Sequence, residues 1–174
     1  PGDLVFVTGA IGDGLLGLRA ARGELTLEPE RLDALTAHYR TPTPRLDFAE
    51  VVRDFASASV DVSDGLFADL THVARTSGVG VVLNLNVLPL STAAQAWFAD
   101  RVDPQLSLED LASGGDDYEI AFTAHPRHEE NLRHEAERRL LRLTRIGEVV
   151  VGDGLTVTYD GRSVVPARQG WTHD

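Results

Sequence analysis

Two short acidic turns carry the residue types that could do chemistry in this chain. The first is Ser59-Val60-Asp61-Val62-Ser63-Asp64-Gly65-Leu66, an extended β-branched run that ends in two carboxylates three residues apart and leads into a helical pattern. Carboxylate oxygens are hard ligands of the kind Mg²⁺ takes, usually one or two of them beside phosphate oxygens and water. A helix start next to them offers free backbone N–H groups and the positive end of the helix dipole, which suit a phosphate. The same spacing also fits a plain strand-to-helix turn, with Ser63 as N-cap and Asp64 in the first helical turn. The second turn is Ser113-Gly114-Gly115-Asp116-Asp117-Tyr118-Glu119, three acids in four residues after two glycines. Clustered carboxylates repel one another unless a cation or hydrogen-bond donors neutralise them, and glycines permit close approach of a ligand to backbone. For Glu119 the simple expectation is a solvated acid beside a glycine turn.

The chain has 174 residues, enough for one domain with a single core, and a net charge of −11. Its basic residues other than histidine are all arginine, and no basic run exceeds Arg138-Arg139, so the stripe that nucleic-acid binding needs is missing. Without cysteine there is neither a disulfide framework nor a thiolate metal site. No apolar run approaches the length of a membrane span, and the default expectation is a soluble cytoplasmic protein. The chain lacks methionine and opens on a Pro1-Gly2-Asp3 turn into an apolar run, as expected of a fragment of a longer protein.

The elements that must position the acids follow from periodicity and punctuation. Strands are expected over residues 4–8, 58–62, 81–85, 118–123, 145–150, 155–159 and 163–165. Helices are expected over 15–22, 28–39, 46–55, 66–76, 92–100, 106–112 and 127–141, with Ser107 and Asp110 spaced as a capping box. Glu129/Arg133 and Glu135/Arg139 have helix-supporting spacing, and Asp160-Gly161 suits a tight hairpin. Strands and helices mixed in this way favour an α+β fold, a mixed sheet with helices packed on it. Gly12-Asp13-Gly14-Leu15-Leu16-Gly17 matches the spacing of a dinucleotide fingerprint, but a second helix and a proline-rich linker (41–44) follow where a parallel strand should. It reads instead as a glycine turn that lets helix and strand pack closely. The six histidines are scattered without metal-ligand spacing; His72 is expected to be packed or capping, and Trp97 to be core.

These motifs together resemble thiamine-monophosphate kinases of the AIR synthase-related superfamily. The resemblance rests on Val60-Asp61-Val62-Ser63-Asp64-Gly65-Leu66 with Ala68-Asp69-Leu70, Ser77-Gly78-Val79-Gly80, Leu88-Pro89 and the second acidic turn. Pro1-Gly2-Asp3, Val7-Thr8-Gly9, the 40–45 segment and Gly170-Trp171 fall in the same order. It covers essentially the whole chain and implies the C-terminal half of such an enzyme, with α/β/α layering over residues 1–174 as one domain and an N-terminal ATP/Mg-binding domain outside this chain. It also implies transfer of the γ-phosphoryl group of ATP to thiamine phosphate, with Mg²⁺. By the same resemblance Asp61 and Asp64 fall on metal ligands, Ser63 on an ATP contact, and Asp116 and Trp171 on substrate contacts. The full-length protein would be a homodimer. Three departures stand out: Asp116 where the family has Glu, the altered 12–16 turn, and a tail lacking the usual Asp after the aromatic. A sibling ATP enzyme such as AIR synthase and a non-catalytic binding module are the rival readings.

Overall fold

The computed structural model describes residues 1–168 and 170. Seven strands form one sheet in the order β2-β4-β1-β5-β3-β6-β7: β1 (Leu4–Thr8), β2 (Ala56–Asp61), β3 (Gly80–Asn84), β4 (Ile120–Ala124), β5 (Leu143–Val150), β6 (Gly154–Tyr159) and β7 (Arg162–Val164). Adjacent strands run antiparallel except β3 and β6, so the sheet is mixed. Seven helices accompany it: α1 (Asp13–Ala21), α2 (Pro29–Arg40), α3 (Ala49–Phe55), α4 (Leu66–Ser77), α5 (Thr92–Ala99), α6 (Pro104–Ser113) and α7 (Glu129–Arg138).

The middle of the sheet is buried on both faces, which is why β1 reads as an unbroken apolar run. Val5 and Val7 point to a core shared with α1, α2, α4, α5 and α6, whereas Leu4 and Phe6 point to a second core with α3 and α7. Phe6 stacks on its cross-strand partner Phe122 in β4, with ring centroids 5.5 Å apart. Helices on both faces give the α/β/α layering. Trp97 is buried in the larger core, as expected.

The dinucleotide reading fails on topology, because both neighbours of β1 are antiparallel to it. Asp160 and Gly161 both take positive φ, as a two-residue hairpin between β6 and β7 requires. Glu129 pairs with Arg133 and Glu135 with Arg139 on α7.

Other local expectations are corrected. The helix expected over 46–55 starts as a 3₁₀ turn, and that over 127–141 begins with one and ends by Arg138, ahead of Leu140 at φ 52. The cap of α6 is Asp103, whose carboxylate accepts from Leu106 N at 3.0 Å; Ser107 lies inside the helix and donates to Asp103 O. His72 is exposed in the middle of α4, neither packed nor capping.

Candidate functional site: two acidic turns at one end of the sheet

β2 ends at Asp61 and β4 begins at Ile120, and the two strands are antiparallel neighbours. The acidic turns are therefore extensions of adjacent strands, at the same end of the sheet. Beyond the regular ladder they remain hydrogen-bonded: Val62 N donates to Glu119 O, Tyr118 N to Val62 O and Asp116 N to Ser63 O, at 2.8, 2.8 and 2.9 Å. Glycine makes the approach possible. A Cβ on Gly115 would lie 2.3 Å from Ser63 O, and one on Gly65 2.7 Å from Ser113 O. Two segments about 50 residues apart in sequence thus form one acidic surface.

Asp61 is exposed at the strand end, and Asp64, Ser63 and Asp116 are half-buried. Their shared field is legible on their neighbours. The Tyr118 phenol is raised above its ordinary pKa first by the charge of Asp116, with Asp61 and Asp64 adding to it, and its hydroxyl donates to Asp116 Oδ1 at 3.3 Å. Asp69, buried in the first turn of α4, is pushed up to about 6, chiefly by burial and then by the charges of Asp64 and Asp61. Ser63 does not cap α4. The cap position is Gly65, and Ser63 N and Asp64 N donate to Asp69 Oδ2 at 3.0 and 3.3 Å, so Asp69 holds the turn from the helix side.

Asp117 and Glu119 point the other way, into the fold. Asp117 is 1% exposed, and its two oxygens accept from Gly12 N and Gly14 N, each at 2.8 Å. Burial pushes its carboxyl well above the ordinary range. Glu119 is not the solvated acid expected. It is 2% exposed, takes Arg45 Nε at 2.7 Å and Arg45 Nη2 at 2.5 Å, and accepts from Thr8 Oγ1 at 2.7 Å. The backbone explains the split: Asp116 at φ 68 and Tyr118 at φ 51 are left-handed rather than extended, and these two face outward while Asp117 and Glu119 face inward. Inward-facing acids need donors, and the glycine turn after β1 and the Arg45 linker supply them.

Asp61, Asp64 and Asp116 line neither of two flanking cavities of about 430 and 420 Å³. Among the described residues no group of three His, Asp or Glu side chains is placed to hold a metal. Trp171 lies outside the described residues. Gly170, just before it, packs at the start of α4: its Cβ position would meet Ala68 and Asp64 O.

Comparison with known proteins now decides the family, since residues 1–160 match the one described as AIR synthase related protein, C-terminal domain. The chain belongs to that family. A thiamine-monophosphate kinase of Caulobacter vibrioides is 43% identical to this AIR synthase related domain over 173 residues, 99% of the chain and 48% of that protein. The crystal structure of thiamine-monophosphate kinase from Stenotrophomonas maltophilia K279a superposes with a TM-score of 0.80 at 36% identity, covering 94% of the chain and 51% of its own. AaThiL complexed with AMPPCP and TMP matches with a TM-score of 0.78 at 34% identity, covering 99% and 52%. The chain spans about half the length of the relatives it matches.

Proposed function

We propose that this domain is the C-terminal half of a thiamine-monophosphate kinase, an ATP-dependent phosphotransferase that converts thiamine phosphate to thiamine diphosphate. Similarity to kinases of that name along 99% of the chain supports the activity, and the complex with AMPPCP and TMP supports the two ligand classes. The observation that carries the reading within this chain is the hydrogen-bonded juxtaposition of the two acidic turns, through Asp116 N to Ser63 O and Tyr118 N to Val62 O.

In this reading Asp61 and Asp64 would hold Mg²⁺, Ser63 would contact ATP, and Asp116 and Trp171 would contact thiamine phosphate. The donor set suits the ion: two hard carboxylates on one turn, whose charges add, behind the burial of Asp69 and the Asp116 charge beside Tyr118, to the raised pKa of both neighbours. When bound, Mg²⁺ would neutralise charge on the transferring phosphoryl group. The chain's own contribution is to fix where those carboxylates stand. The backbone bonds to Asp69 set the 63–64 turn, and Gly65 and Gly115 let the substrate-side loop close on it. The remaining metal and nucleotide groups would come from an N-terminal domain. The kinase would be a cytoplasmic homodimer; among the described residues no helix is long and apolar enough to cross a membrane.

Steady-state assay of the full-length protein tests the reading. It should form thiamine diphosphate from ATP and thiamine phosphate, and Asp61→Asn should lower turnover on the order of 10²-fold at limiting Mg²⁺, as loss of a preorganised electrostatic group does. Near-normal turnover of that variant would remove Asp61 from the metal site. No thiamine diphosphate from the parent protein would remove the activity itself.

A further inference from the structure

We infer that Asp117 is a positioning residue, whose buried carboxylate sets the geometry of Asp116 and Tyr118 opposite the 61–64 turn. Its two oxygens each take a backbone N–H, from Gly12 and Gly14, at 2.8 Å. These donors lie at the start of α1, over 100 residues earlier, where the helix dipole favours a negative group. The residues on either side of Asp117 are both left-handed, Asp116 at φ 68 and Tyr118 at φ 51. Side chains other than glycine rarely adopt that region, and such residues persist where the surroundings over-determine them.

The surroundings here do so from two directions. On one side the amides of Asp116 and Tyr118 are bonded to Ser63 O and Val62 O. On the other, the Asp117 carboxylate is bolted to the 12–14 turn, which comes so near that a Cβ on Gly14 would lie 2.4 Å from Gly115 O and 2.5 Å from Asp116 O. With Asp117 drawn inward, its neighbours' side chains are turned outward, where the Tyr118 hydroxyl donates to Asp116 Oδ1. A carboxylate is the group the anchor needs. Two convergent N–H donors require two acceptors, and an amide would set its NH₂ against one of them. Gly12 and Gly14 thus have a function that no nucleotide fingerprint explains: they carry the donors that receive Asp117, while Gly17 lets α1 pack against Leu35 and Tyr39 of α2.

The kinetic consequence rests on the proposed kinase reading, whereas the geometric one does not, and the experiment separates them. In the 174-residue chain, the Tyr118 phenol is titrated by NMR of a ¹³C-labelled tyrosine ring, with Tyr118→Phe to assign the signal. The parent should titrate above the ordinary tyrosine value of about 10, and Asp117→Asn should return it towards that value as Asp116 and Tyr118 relax. An unchanged Tyr118 titration in Asp117→Asn overturns the inference, whatever the kinetics. In the full-length kinase, Asp117→Asn should raise KM for thiamine phosphate about tenfold, with KM for ATP unchanged. Loss of the Tyr118 shift with unaltered KM upholds the positioning role and removes Asp116 from the substrate site. Should Asp117→Asn fail to fold, the parent decides: its Gly12 and Gly14 amides should exchange as slowly as those of the sheet interior, and exchange at open-loop rates overturns the inference.

Discussion

Asp69 takes hydrogen bonds from Ser63 N and Asp64 N while sitting almost wholly out of water, and two further acids lie close by. Burial is the largest cause of its pKa of about 6, ahead of the charges of Asp64 and Asp61. Because the folded pKa is raised above the ordinary 3.8, the group's contribution to stability is complete below about pH 4 and is lost as pH rises through 6. In metal-free solution this one residue should cost the folded chain about 2 kcal/mol between pH 4 and pH 7. Asp69→Asn should flatten that part of the pH dependence in urea-unfolding midpoints; an identical pH slope in the variant would refute the account. Asp13 and Asp117, both raised chiefly by burial, contribute slopes of the same sign that the variant leaves in place. Glu119 is the contrasting case, a buried acid held by an arginine and a threonine hydroxyl. Sequence made it a solvated acid because Arg45 stands 74 residues away, in a linker without periodicity.

At the scale of elements, long periodic segments and glycine-stopped helices were legible in advance. So was β1, whose five consecutive buried residues need no alternation. What could not be seen was pairing. Nothing in the order of the chain says that β4 lies between β1 and β2, and only that adjacency brings the acidic turns together. Boundaries near the site were displaced for a related reason. The strand expected from residue 118 starts at Ile120, because Asp116 and Tyr118 adopt left-handed backbone imposed by partners elsewhere. Close approach of the two turns makes a specific demand on Gly115, whose φ is not positive but whose Cβ would meet Ser63 O at 2.3 Å. Gly115→Ala should therefore cost about 2–3 kcal/mol through overpacking against backbone. Gly78→Ala, at a left-handed helix terminus with open space around it, should cost only about 1 kcal/mol. Equal losses in denaturant unfolding would mean that the turns are not in contact as described.

For the molecule as a whole, the proposed function raises the question of how much of a nucleotide site one acidic surface could make. Asp61, exposed at the end of β2, and the half-buried Asp64 and Asp116 stand outside the two cavities described, and in the proposed reading they form one wall of a cleft whose other wall is the N-terminal domain. Its net charge of −11 also works against a polyanion unless cations intervene. The fold itself has two cores and its own caps and turns, and should be stable without a partner. The 174-residue chain is therefore expected to unfold cooperatively yet to bind ATP with Kd above roughly 1 mM in the presence of Mg²⁺, less than about 4 kcal/mol of affinity. Titration calorimetry at millimolar nucleotide measures this directly, and salt should strengthen the encounter by screening like charge. Micromolar binding would show that the chain carries a complete site, and Asp61→Asn would then locate it: a loss of affinity would put it at the acidic turns, and no change would send the search to the cavity between Asp13, His38 and Arg142.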